Sequence, residues 1–277
     1  MLTDINENLK YLCHSLIHKE DSEKLVCSYE ELDEEKLYFG YDVAISDYIK
    51  IRQFNIGEII LYGTRKYYSM IHTLCSVGAD MKWQLDDLGM DYTQVDDYDL
   101  FCQMLSRPFS KDDTHILFGD VLDLSQMKLM LDTKINEPVL IQQLDNGDII
   151  QIDRYVYHAI VDTLRKIHHL KRNDEIPGNE ATRLILIEDA REEYEDNKNK
   201  PYKSPLLPLI STMVNMPGFS RDDTTIRDMK IYPFMDSVTR IGKIKNADLL
   251  LQSGYSGFGV DLKKIDKNDV NYFGELK

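Results

Sequence analysis

The residues best suited to chemistry in this chain are few and scattered. Cys13, His14, His18 and Cys27 bring two thiols and two imidazoles together, and His14 and His18, four apart, would share one helix face as zinc ligands do. The Cys13 to Cys27 spacing fits no standard finger, however, and no HExxH arrangement stands nearby. An amphipathic helix with outward histidines is the expectation. Asp86, Asp87, Asp91, Asp96, Asp97 and Asp99 crowd acids as a calcium loop does, but without the order D-x-[DN]-x-[DN]-G and a closing Glu. They read as a solvated acidic face or a surface for a basic partner. Arg165 to Arg172, with His168 and His169, form the one dense basic patch. It could meet phosphate, but no aromatic residue interleaves it, and basic residues at a helix C-terminus complement the helix dipole.

Gly254, Gly257 and Gly259 do not make GxGxxG, and no GxSxG, P-loop or kinase signature occurs. No catalytic residue, cofactor, cofactor-binding residue or metal ligand is therefore assigned. Tyr67, Tyr68, Tyr92, Tyr98 and Phe101, with Phe234, Tyr255 and Phe258 further on, have the amphipathic character that protein interfaces use. Core packing is the ordinary alternative for each.

The elements that must carry these residues alternate in kind. The aromatic and β-branched run from Leu37 to Phe54 predicts a hairpin. Asn55 three residues before Glu58 predicts a capping box and one helix from Ile56 to Cys75, with Gly63 inside it. Helices are expected over 79–88 and 95–105, and a strand at HILFGDV, from His115. Asn146-Gly147 between PVLIQQL and DIIQID predicts a hairpin with a type I′ turn. Asp153 should cap a helix from Arg154 through Leu170, and Asn179 another whose second half is charged. Ser204-Pro205 starts a helix that stops before Pro217-Gly218. A further helix from Thr224 or Thr225 should be kinked or split in two by Pro233 and end before a Gly-rich turn at SGYSGFG. The fold class is α+β, mainly helical with two small antiparallel β-hairpin units. Its expected divisions are 1–114, 115–175 and 176–277.

Composition narrows the function. A formal net charge of -15 repels phosphate backbones, so general nucleic-acid binding is disfavoured. Four separated cysteines without CxxC suit free thiols in a reducing compartment. No signal peptide and no apolar run long enough to span a bilayer is read, which predicts a cytosolic protein without membrane partners.

Two passages carry a resemblance. IKIRQFNIGEIILYG, from Ile49 to Gly63, is similar to the opening of tail assembly chaperones and related tail-module proteins of phages and prophages of low-GC Gram-positive bacteria. PLISTMVNMPGF, then FMDSVTRI and a YSG turn before KKI, resembles the C-terminal half of long proteins from the same gene clusters. The chain is longer than the short chaperones and has Phe54 and Asn55 where Pro or Thr is common. The resemblance implies a non-enzymatic role in virion morphogenesis, as a chaperone or a structural component. It implies action by contact with other phage tail or structural proteins in the host bacterial cytoplasm, or within the virion. Self-association into a homo-oligomer is compatible with the same anchors. The contrasting expectation is a phage-encoded enzyme or host-takeover factor whose active site only the fold assembles.

Overall fold

The computed structural model describes residues 32–132, 136–256 and 259–276. The chain is α+β, mainly helical with two small antiparallel sheets. The described residues from Asp33 onward pack as one unit. The helix and the Cys13, His14, His18 and Cys27 cluster read near the N-terminus lie outside the described residues.

Asp33 caps a short α1 (Glu34–Tyr38), and a two-stranded ribbon follows, β1 (Val43–Ala44) and β2 (Lys50–Ile51). The hairpin expected over 37–54 is thus much shorter. The cap and the acids Glu34 and Glu35 draw Leu37 and Tyr38 into a helix. Asn55 forms the expected capping box, accepting from the Glu58 N–H at 2.7 Å while Glu58 accepts from the Asn55 N–H at 2.8 Å. The single helix expected from Ile56 to Cys75 is divided at Gly63, whose φ of +105° lies outside helical space. Two helices result, α2 (Ile56–Tyr62) and α3 (Thr64–Cys75).

Helix α4 (Lys82–Asp87) follows a 3₁₀ turn, and α5 (Asp97–Leu100) passes into a π-helical turn at Phe101–Leu105. HILFGDV is not a strand. Ser110 and Asp113 build a capping box upstream of it, so its apolar residues complete α6 (Lys111–Phe118). The larger sheet is β3 (Lys128–Asp132), β4 (Glu137–Gln143) and β5 (Ile149–Ile152), in that order and antiparallel. The β4–β5 hairpin stands where Asn146-Gly147 placed it, but its turn is not type I′. Gly147 alone has positive φ there, its N–H bonds the Leu144 carbonyl at 2.9 Å, and the Leu144 N–H bonds the Asp148 carbonyl at 2.9 Å. That is a three-residue loop closed by a glycine bulge.

Asp153 caps α7 (Arg154–His168) through the Val156 N–H at 2.9 Å. This helix is the packing centre: it touches α3, β2 and β5, and its buried face includes Tyr157, Ile160, Val161, Leu164 and Ile167. Burying four such aliphatic side chains stabilises by about 1.5–3 kcal/mol each before conformational entropy is charged. Asn179 caps α8 (Glu180–Asn197), which packs on α4 and buries Ile187. Ser204 accepts from the Leu207 N–H at 3.3 Å to open α9 (Leu206–Val214).

The last long helix, α10 (Ile231–Tyr255), begins later than expected. Pro233 therefore falls in its first turn, where a missing N–H costs nothing, and no kink is needed. It also runs through Ser253, Gly254 and Tyr255, which the sequence assigned to a turn. A bridge between Asn55 and Lys230 ties the starts of α2 and α10: the Ile56 N–H meets the Met229 carbonyl at 3.0 Å, and the Ile231 N–H meets the Phe54 carbonyl at 2.9 Å. Contacts also cross both expected divisions. The Tyr98 hydroxyl reaches the Pro138 carbonyl at 2.8 Å, and Arg191 reaches Asp87 at 2.8 Å.

Candidate functional site

Five of the aromatic residues singled out from sequence are core residues: Tyr67, Tyr92, Tyr98, Phe101 and Phe234. Burial leaves them no face to offer a partner. Tyr98 and Phe101 pack on Tyr157 with ring centroids 5.5 and 4.9 Å away, and the Tyr98 hydroxyl bonds the β4 and β5 carbonyls of Pro138 and Ile152. Tyr68 is half-buried, and burial pushes its phenol up to about 12. Phe258 lies outside the described residues. Tyr255 alone is openly exposed, at 81%.

The chemically suggestive clusters resolve into packing. The Tyr67 hydroxyl meets His168 Nε2 at 2.7 Å, and His168 Nδ1 meets the Leu164 carbonyl at 2.7 Å. The carbonyl can only accept, so Nδ1 carries the hydrogen and Nε2 accepts from the tyrosine. Burial holds His168 neutral, lowering it to about 4. Burial likewise pushes the Cys75 and Cys102 thiols up to about 12, so neither is a nucleophile at neutral pH.

The acids of 86–99 pair largely with arginines. Asp86 and Asp87 meet Arg191, Asp91 meets Arg183, Asp97 meets Arg172, and Asp96 holds Arg154 with both oxygens at 2.9 Å. Asp99 is left beside Asp96, and burial first, then that charge, push its carboxyl up to about 6. Among the described residues no group of His, Cys, Asp and Glu could hold a metal ion. The basic patch is divided between core and surface: Arg165 donates to the Cys75 carbonyl at 2.7 Å and His168 is buried, Lys166 pairs with Glu34 at 2.5 Å, and Lys166, Lys171 and Arg172 are exposed.

Large apolar side chains are exposed at several places, Phe39, Leu61, Ile176 and Leu207 among them, and one such surface is built by α10 and the chain after it. Residues 259–276 fold back along the helix. Arg240 donates to the carbonyls of Tyr272 at 3.0 Å and Gly274 at 2.7 Å, Lys243 donates to that of Glu275 at 2.8 Å, and the Tyr272 hydroxyl bonds Asp248. Leu262 closes over Gly254, where a Cβ would come within 2.2 Å of its side chain. Leu249 and Phe273, next in sequence to the bonded Asp248 and Tyr272, are 66% and 92% exposed, and Tyr255 and Val260 are exposed near the helix end. Sequence reasoning missed Leu249 and Phe273. Leu249 had a signal: three consecutive leucines on one helix cannot all face the core. Phe273, in a polar tail, had none.

A second feature is a concavity of about 590 Å³ lined by Arg65, Asn197, Lys200, Pro201, Tyr202 and Lys203. Arg65 opens α3 and lies over the Tyr202 ring at 5.7 Å from its centroid.

Compared with known proteins, the chain matches no protein-family model, no curated protein and no solved structure. Among the described residues no helix is long and apolar enough to cross a membrane.

Proposed function

We propose that this chain is a non-enzymatic phage or prophage morphogenesis protein that acts by protein–protein contact in tail assembly. The observation that carries it is the exposure of four large apolar side chains, Leu249, Tyr255, Val260 and Phe273, on α10 and the tail that folds back along it. An exposed apolar patch of this kind, rimmed by polar groups, is what association sites present. In sequence, residues 240–277 hold seven Lys and Arg against five Asp and Glu, within a chain of net charge -15. A partner with an acidic border around an apolar socket fits it. The similarity of Ile49–Gly63 and of the C-terminal passages to tail-module proteins supplies the biological setting.

The test is a tagged chain expressed in cells producing phage, with mass spectrometry of its partners and of purified particles. Recovery of tube, tape-measure or other tail proteins is expected. The chain absent from finished particles marks a chaperone, and a fixed ratio within them marks a structural part. Recovery of host enzymes or nucleic acid without phage proteins overturns the proposal.

A further inference from the structure

Helix α8 is held on the fold by charge and by stacked rings more than by burial. Of its eighteen residues, Ile187 alone is buried. The aliphatic run Leu184 to Ile187 cannot turn inward as a whole, and Leu184 and Ile185 are 52% and 59% exposed. The side that meets α4 carries ions instead. Arg191 reaches Asp87 at 2.8 Å and Asp86 at 3.4 Å, and Arg183 reaches Asp91 at 3.7 Å. Asp86 and Asp87 belong to α4, and Asp91 follows it. Tyr194 lies on the Trp83 ring, centroids 4.8 Å apart, and the Arg191 guanidinium stands 5.7 Å from the same ring. The loop ahead of the helix is fastened in the same way: Asn173 donates to Asp80 at 2.9 Å, and Lys82 pairs with Glu175.

Ion pairs between partly exposed groups are individually weak and are screened by salt. On the open side, Asp189 and Glu193, and Glu192 and Asp196, are exposed acids four apart, which repel along a helix. Pro177-Gly178 stands before the helix and Pro201 after it, so a breaker lies at each end. We propose that α8 is a releasable strap. Its ion pairs to the α4 region hold it down, and it lets go as a unit between its two loops, uncovering Ile187, Tyr194 and Trp83 while the α7 core stays closed. The strap is independent of the α10 surface, so either idea can fail without the other.

Hydrogen exchange on the full chain, read beside the fluorescence of Trp83, the only tryptophan, tests this. In low salt the amides from Arg183 to Tyr194 should exchange together, at least about tenfold faster than those on the buried face of α7. Raising salt to about 1 M, where the Debye length is about 3 Å, should speed α8 by a further five- to tenfold or about that. The same step should leave α7 no faster and shift Trp83 emission to the red. Asp86→Asn/Asp87→Asn should reproduce the salt effect in low salt with α7 still protected. Lys50→Gln, which breaks the Lys50–Asp42 pair, should behave as the parent does. Exchange of α8 in step with α7, opening of α8 that salt does not speed, or parent-like exchange in the Asp86/Asp87 variant would overturn the proposal.

Discussion

Tyr67, His168 and Asp99 show how single residues in this chain set its response to pH. His168 is held neutral in the fold, lowered from 6.5 to about 4 by burial. The unfolded chain takes up that proton first, so this contribution is whole above about pH 6.5 and drains as pH falls toward 4. Asp99 has the opposite sign. Raised from 3.8 to about 6, it favours the fold while protonated, and that contribution is lost as pH rises through the same window. Asp99→Asn should therefore stabilise the protein at pH 7 by about 1 kcal/mol, after discounting for partial exposure, with the gain vanishing near pH 4. Urea unfolding at the two pH values measures it, and an equal effect at both would contradict the assignment. Tyr67→Phe leaves His168 Nε2 unpaired in the core and should cost about 1–3 kcal/mol in the same experiment at neutral pH. Cys75 and Cys102 should resist alkylation in the native state and react only with unfolding.

At the scale of elements, what could be read from sequence was what depends on neighbours in the chain. The Asn55 capping box, the Asp153 and Asn179 caps and the β4–β5 hairpin are local devices, and all four stand where their residues placed them. Asn55→Ala should cost about 1 kcal/mol, seen as a lower urea midpoint with unchanged slope. The misreadings share a cause in longer-range or competing choices. HILFGDV is β-branched and apolar enough for a strand, but the Ser110 cap upstream commits it to α6. Gly63 could have passed as a packing glycine within one helix. Its backbone instead turns the chain between α2 and α3, so Gly63→Ala should destabilise by about 1–2 kcal/mol rather than stabilise, as it would in a helix interior. The helix expected at Thr224 starts later because the antiparallel bridge to Asn55 holds Lys230 extended just before α10. No pattern within ten residues of Lys230 could show a partner so distant in sequence. The same limit hid the surface. Tyr67, Tyr98 and Phe234 look as amphipathic as Tyr255 in sequence, and only the fold separates core from face.

For the whole molecule, a strongly acidic chain exposes Leu249, Tyr255, Val260 and Phe273 within residues 240–277, a stretch in which basic residues outnumber acids. The tail is fastened there largely by Arg240, whose guanidinium spans two tail carbonyls. Arg240→Ala should expose residues 259–276 to limited proteolysis while leaving the thermal midpoint within a few degrees of the parent. The central claim is that α10 and its tail form the partner-binding face. Its most direct test compares the tagged parent with Leu249→Ser/Tyr255→Ser/Phe273→Ser in phage-producing cells. All three residues are exposed, so the fold should survive, as circular dichroism and an unchanged urea midpoint would verify. The account predicts that tail proteins come down with the parent and are lost, or reduced by at least about tenfold, with the folded triple variant. Equal recovery of the same tail proteins by both would contradict it.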